Sequence, residues 1–75
     1  MRKYRVYKIS FLFQTDVLIE AQSLEDAATM FVEDNGQDLY EIYGEFTFDV
    51  EDLSGNKKSF RLKEEVVYTY ECVPV

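Results

Sequence analysis

Ser23-Leu24-Glu25-Asp26-Ala27-Ala28-Thr29-Met30-Phe31-Val32 is the stretch that decides the fold. Leu24, Ala27, Ala28, Phe31 and Val32 stand at i, i+3, i+4, i+7 and i+8, one apolar stripe on a helix. Ser23 precedes the stripe, and its hydroxyl can accept from the free N–H groups of a first turn. Glu25 and Asp26 add negative charge at the positive end of the helix dipole. Asn35-Gly36 reads as the stop, because glycine takes the left-handed conformation that a helix end often needs. Asp26, Thr29 and Glu33 fall on the outer side. A helix of about twelve residues is marginal alone, so its stripe must be buried against something else.

The flanking residues supply strands. Residues 3–13 read as one, with Tyr7, Ile9, Phe11 and Phe13 on one face, Arg5, Lys8 and Ser10 between them, and Val6 and Leu12 off the pattern. Gln14-Thr15-Asp16 reads as a turn into a second strand, where Val17, Ile19 and Ala21 share a face. So short a link implies an antiparallel hairpin. After the helix, Leu39, Tyr40, Ile42 and Tyr43 are interrupted by Gly44, and 37–44 reads as a loop. A third strand sets Phe46, Phe48 and Val50 against Thr47, Asp49 and Glu51. Ser54-Gly55-Asn56-Lys57 is a turn. A fourth strand begins near Ser59 and can run to Val73, with Phe60, Leu62, Val66, Tyr68, Tyr70 and Cys72 on one parity. Glu64 shares that parity, which predicts a bulge near Glu64-Glu65 or a break into two strands. Pro74 ends pairing. The order ββαββ predicts an α+β domain over residues 1–75: two layers, an antiparallel sheet of about four strands with one helix on one face, strands one and four being candidate edges.

Charge is segregated along the chain. Between Gln14 and Leu53 lie twelve carboxylates and no lysine or arginine. All eight basic residues flank that block: Arg2, Lys3, Arg5 and Lys8 before it, Lys57, Lys58, Arg61 and Lys63 after it. The net charge of −7 opposes contact with nucleic-acid phosphates and anionic membranes. A basic protein is the partner that electrostatics permits. Asp26, Glu33, Asp34, Asp38, Glu41, Glu45, Asp49, Glu51 and Asp52 are the candidate protein-binding residues. If Phe46, Phe48 and Val50 pack under the helix, the helix and third-strand carboxylates form two patches on opposite sides. The competing reading is that the acids only keep a small protein soluble.

Catalysis is poorly supplied. There is no histidine, the commonest general acid–base, and Cys72 has none to activate it. Cys72 on a strand face with Tyr68 and Tyr70 reads as a structural thiol. Glu33-Asp34-Asn35-Gly36-Gln37-Asp38 has the composition of a calcium loop, but with Gly36 as its sixth position the first is Phe31 and the twelfth Ile42, neither of them a ligand. The helix end explains that segment better. Asp49, Glu51 and Asp52 form a second acidic cluster, of which Asp49 and Glu51 share a strand face. The expectation is a protein that is not an enzyme, with no metal and no cofactor. The twelve Phe and Tyr residues are needed for the core of a 75-residue chain, and an RNA-stacking role for them lacks a basic surround. A lone thiol, with no signal-peptide pattern and no apolar run of membrane-spanning length, predicts a cytoplasmic protein.

Lys3-Tyr4-Arg5-Val6, Val17-Leu18-Ile19-Glu20-Ala21, Ser23-Leu24-Glu25-Asp26-Ala27 and Phe48-Asp49-Val50-Glu51-Asp52-Leu53 together resemble the small DpnD/PcfM-like proteins of phages and mobile elements over residues 1–53. The resemblance implies a phage or plasmid context and carries no activity with it. The expected function is a small acidic binding protein that offers a negative surface to a basic protein, an anti-defence inhibitor imitating nucleic-acid charge being the specific form. The alternative is a structural or assembly protein that homo-oligomerises through aromatic edge strands, and a homodimer is allowed for.

Overall fold

The computed structural model describes residues 1–8, 17–66 and 69–75. Its elements are β1 (Arg2–Lys8), β2 (Val17–Ala21), α1 (Leu24–Tyr43), β3 (Phe46–Asp52), β4 (Lys57–Val66) and β5 (Thr69–Pro74). The strands form one sheet in the order β2-β1-β3-β4-β5, and every neighbouring pair is antiparallel. The α+β class and the antiparallel sheet are as the sequence predicts. The strand count is not. The described residues form five strands, in the order ββαβββ, because the long fourth strand breaks and its second half pairs back on the first. The register shifts between Glu64 and Val66, where the parity had placed a charged residue among apolar ones. Among the described strands the edges are β2 and β5: the expected edge at strand one is interior, while the expected fourth strand divides into interior β4 and edge β5.

Strands β2 and β3 both pair antiparallel with β1, so they run parallel to one another with β1 between them. Helix α1 is the crossover that joins them, a split β-α-β arrangement. This connection needs length, and the helix has it: twenty residues, not about twelve. The apolar stripe does not stop at Val32. It continues through Asn35, Gly36, Leu39, Tyr40 and Tyr43 at the same spacing of three and four, so 37–44 is not a loop.

Gly36 is thus a buried residue inside the helix rather than its stop. A β-carbon there would lie 3.2 Å from Val32 Cγ1 and 3.4 Å from both Leu62 Cδ1 and Tyr70 Cβ. Glycine sits where helix and sheet approach so closely that even a β-carbon would be a tight fit, which works against the gain of about 1 kcal/mol in helix propensity that a larger residue would bring. Asn35 keeps to the helix by donating from Nδ2 to the Phe31 carbonyl at 3.2 Å. The C-cap is Gly44, at φ 71°, whose N–H donates to the Tyr40 carbonyl at 2.8 Å. At the other end Ser23 Oγ accepts from the Asp26 N–H at 3.0 Å, and Asp26 Oδ2 accepts from the Gln22 N–H at 3.2 Å. The arrangement resembles a capping box, except that Asp26 reaches the N–H of Gln22, one residue before the N-cap.

The core draws on helix and sheet together. Ala27, Ala28, Phe31, Val32 and Leu39 join Tyr4, Val6, Ala21, Phe46, Phe48, Val50, Phe60 and Leu62 in one buried cluster. The Phe48 ring lies 5.1 Å from that of Phe31 and 5.9 Å from that of Phe60, spacings typical of attractive aromatic pairs. Tyr40 and Tyr70 make a similar contact at 5.1 Å. Val6, which departs from the alternation of the first strand, belongs to this core with no exposed surface, and Tyr4 with it. The register shifts between Val6 and Lys8. Such a shift exchanges the faces of a strand, which is why Val6 falls off a single alternation. Ile9, Phe11, Phe13, the Gln14–Asp16 turn and Tyr68 lie outside the described residues.

Candidate functional site

The nine candidate carboxylates divide into three groups. Asp26, Glu33, Asp34, Asp38 and Glu41 are all exposed on α1, whose twenty residues include no lysine or arginine. From Asp26 to Glu41 the helix rises about 22 Å. Asp26 also serves the N-cap, so its carboxylate is partly committed. Among the described residues neither Glu33, Asp34, Asp38 nor Glu41 takes part in an ion pair. Glu25 is the exception on this helix: Lys58 Nζ donates to its Oε2 at 2.7 Å. That hydrogen bond, ahead of the lysine's charge, holds the Glu25 carboxyl below the usual glutamate range. Lys58 also lies 5.8 Å from the centre of the Phe60 ring.

Asp49 and Glu51 belong to the face of β3 opposite Phe48 and Val50. There the cations from the chain's two ends arrive beside them. Arg5 stands opposite Glu51 on one side and Lys57 on the other. Arg5 donates to Glu51 Oε1 at 3.2 Å. Lys3 faces Glu20 and Lys63 faces Glu71 across neighbouring strands. Ser59 Oγ donates to Asp49 Oδ1 at 2.6 Å. The segregation seen along the sequence is undone on this face, while the helix retains it.

Asp52 and Glu45 complete the set. Glu45 is exposed between the helix cap and β3. Asp52 organises the β3–β4 turn: Oδ1 accepts from the Ser54 and Asn56 N–H groups, both at 2.9 Å, and Oδ2 from Asn56 Nδ2 at 3.0 Å. The Asn56 side-chain amide, with those backbone donors, holds its carboxyl below the usual aspartate range. Asp52 is a turn residue, and the Asp-Leu-Ser-Gly-Asn sequence carried that signal. The Ser23-x-x-Asp26 spacing carried the corresponding signal for the cap. The roles of Arg5 and Lys58 had no local signal, since their partners lie 46 and 33 residues away.

Cys72 is half-buried, with Thr29 Oγ1 at 3.8 Å from its sulfur. Burial pushes the thiol pKa up. We expect alkylation by iodoacetamide to be slower than for a free cysteine at neutral pH, and to accelerate only above the pH at which a free thiol titrates, because the thiolate is the nucleophile. A native-state labelling rate equal to that of the unfolded chain would contradict this.

Among the described residues no group of three or more Cys, Asp and Glu side chains is arranged to hold a metal ion. No described helix is long and apolar enough to cross a membrane. No protein-family model, curated protein or solved structure matches this chain.

Proposed function

We propose that this chain is a small non-catalytic binding protein that presents the exposed carboxylates of α1 to a basic protein. The observation that carries the reading is the charge of that helix: Glu33, Asp34, Asp38 and Glu41 stand exposed with no cation among its twenty residues. The strand carboxylates contribute less to such a surface, since Asp49, Glu51 and Asp52 are engaged by Ser59, Arg5 and the turn. The reading takes α1 to cover one face of the sheet, which the Phe31–Phe48 and Tyr40–Tyr70 contacts support. The helix is then held rigidly, with its acids spaced along an outer ridge. The specific form is an inhibitor of phage or mobile-element origin that imitates nucleic-acid charge, acting in a host cytoplasm.

The test is charge reversal at Glu33, Asp34, Asp38 and Glu41 against reversal at Asp49 and Glu51, with affinity capture from host lysate at low and high salt. The helix set should lose the captured basic protein, the strand set should retain it, and salt should weaken capture by the wild type. Individual surface reversals change stability by only about 0.5 kcal/mol, so loss of capture with an unchanged melt reports the surface. Capture that ignores both the helix reversals and salt would leave the acids as a solubility feature. The competing reading, a self-associating structural protein, is supported by the edge of β2, beyond which no described strand lies; of the two edge strands β2 has no aromatic residue and β5 has Tyr70, while Phe46, Phe48 and Phe60 are buried on interior strands.

A further inference from the structure

We infer that the free edge of β2 is where two copies of this chain pair, continuing the sheet across a twofold axis. The bonding pattern of the ladders shows which backbone groups are available. Asp52 N–H donates to the Asn56 carbonyl at 2.9 Å, so residues of that parity in β3 bond to β4. Asp49 and Glu51 therefore bond towards β1, where Glu51 is opposite Arg5. Tyr4 and Val6 are left to bond to Ile19 and Val17 of β2. By the same alternation the N–H and C=O groups of Leu18 and Glu20 point away from the sheet, and no described strand lies beyond them.

The opposite edge is blunted only at its last residues, since by the same alternation the N–H and C=O groups of Cys72 still point away from β4. Val75 N–H donates to the Ser59 carbonyl at 3.0 Å, which places Pro74 opposite Phe60 at a position that makes no bond to β4. Pro74 therefore costs the sheet no bond, and it removes a donor from the outer edge of β5. Strand β2 has no proline and no lysine to protect it.

The β2 edge is also self-complementary. Antiparallel pairing centred on Ile19 sets Ile19 against Ile19 of the second copy, Val17 against its Ala21, and Leu18 against its Glu20. Val17 and Ile19 are the half-buried margin of the core, and a second strand would cover them. Leu18, 65% exposed on the other face, gains cover as well. An isologous contact of this kind needs no other partner.

This inference does not rest on the acidic-helix reading, and salt separates the two. Two copies carrying −7 each repel, so pairing through backbone and apolar groups tightens as salt rises. Binding through the helix carboxylates weakens. The experiment is sedimentation of the purified chain from micromolar to millimolar concentration at low and high salt, with amide exchange followed by NMR. We expect a concentration-dependent dimer favoured by salt. The Leu18 and Glu20 amides should exchange fast when dilute and about tenfold more slowly where nine-tenths of the chain is paired, since only the open form exchanges. Leu18→Pro removes a donor that bonds to nothing within one copy, and should abolish the dimer without changing the fold. If that variant fails to fold, Leu18→Lys, which puts a charge on the edge, decides instead. A monomer under every condition overturns the inference, as does a dimer that survives either variant in folded form or that leaves the Leu18 and Glu20 amides unprotected.

Discussion

Replacing Phe31 with alanine is expected to remove about 3–5 kcal/mol of stability. The side chain is almost fully buried, 5.1 Å from the Phe48 ring, and it belongs to the helix stripe that closes the core. Its loss leaves a cavity between helix and sheet that neither element can collapse to fill, because both are held by their own ladders of backbone bonds. A chain of 75 residues has a total stability of only about 4–11 kcal/mol. At the lower end of that range the variant sits close to its unfolding midpoint without denaturant, and at the upper end its midpoint falls well below that of the wild type. Urea unfolding followed by far-ultraviolet circular dichroism measures this. A midpoint equal to that of the wild type would show that the stripe does not hold the core.

Gly36 gives the second large effect, with a sign that depends on side-chain size. Gly36→Leu must push a branched side chain into a space where even a β-carbon would stand 3.2 Å from Val32 and 3.4 Å from Leu62 and Tyr70. Overpacking of this kind costs about 1–3 kcal/mol, and the upper end is expected because two of the three neighbours belong to the sheet. Gly36→Ala is different. It gains up to about 1 kcal/mol of helix propensity and loses some of it to the same tight contacts, so its net change should stay within about 1 kcal/mol. Thermal melts of the two variants should separate clearly. Equal losses for alanine and leucine would mean that residue 36 is a conformational stop, as its Asn-Gly context suggests, and not a packing site.

That context marks the boundary of what could be read in the residues. The apolar stripe from Leu24 to Val32, the Ser23 cap, the alternation in β2 and β3 and the turn before Lys57 are local patterns, and each is present in the structure. Gly36 was misread because a glycine at a turn and a glycine at a close approach look alike in sequence. The difference lies in Leu62 and Tyr70, more than twenty residues away. Val6 stands off the alternation of the first strand, and the shift of register between Val6 and Lys8 that accompanies this shows only in the pairing with β3. The fifth strand was foreseen only as an alternative, since a bulge and a hairpin begin with the same break in parity at Glu64. At the candidate site, the outward placement of Asp26 and Glu33 followed from helix periodicity. The neutralising company of Asp49 and Glu51 did not, because Arg5, Lys57 and Ser59 reach them only through strand pairing.

The interior place of β1, between β2 and β3, has a consequence for how the chain is made. Its partner β2 follows within the first 21 residues, but its other neighbour, β3, begins only at Phe46. The Arg5–Glu51 contact spans 46 positions. At roughly 5–20 residues per second, synthesis takes several seconds to cover that distance. Throughout that time the nascent chain carries β1 with one side unpaired, a template open to any other extended segment nearby. Strand β1 waits for the residues of β3 to be made before its second ladder can form.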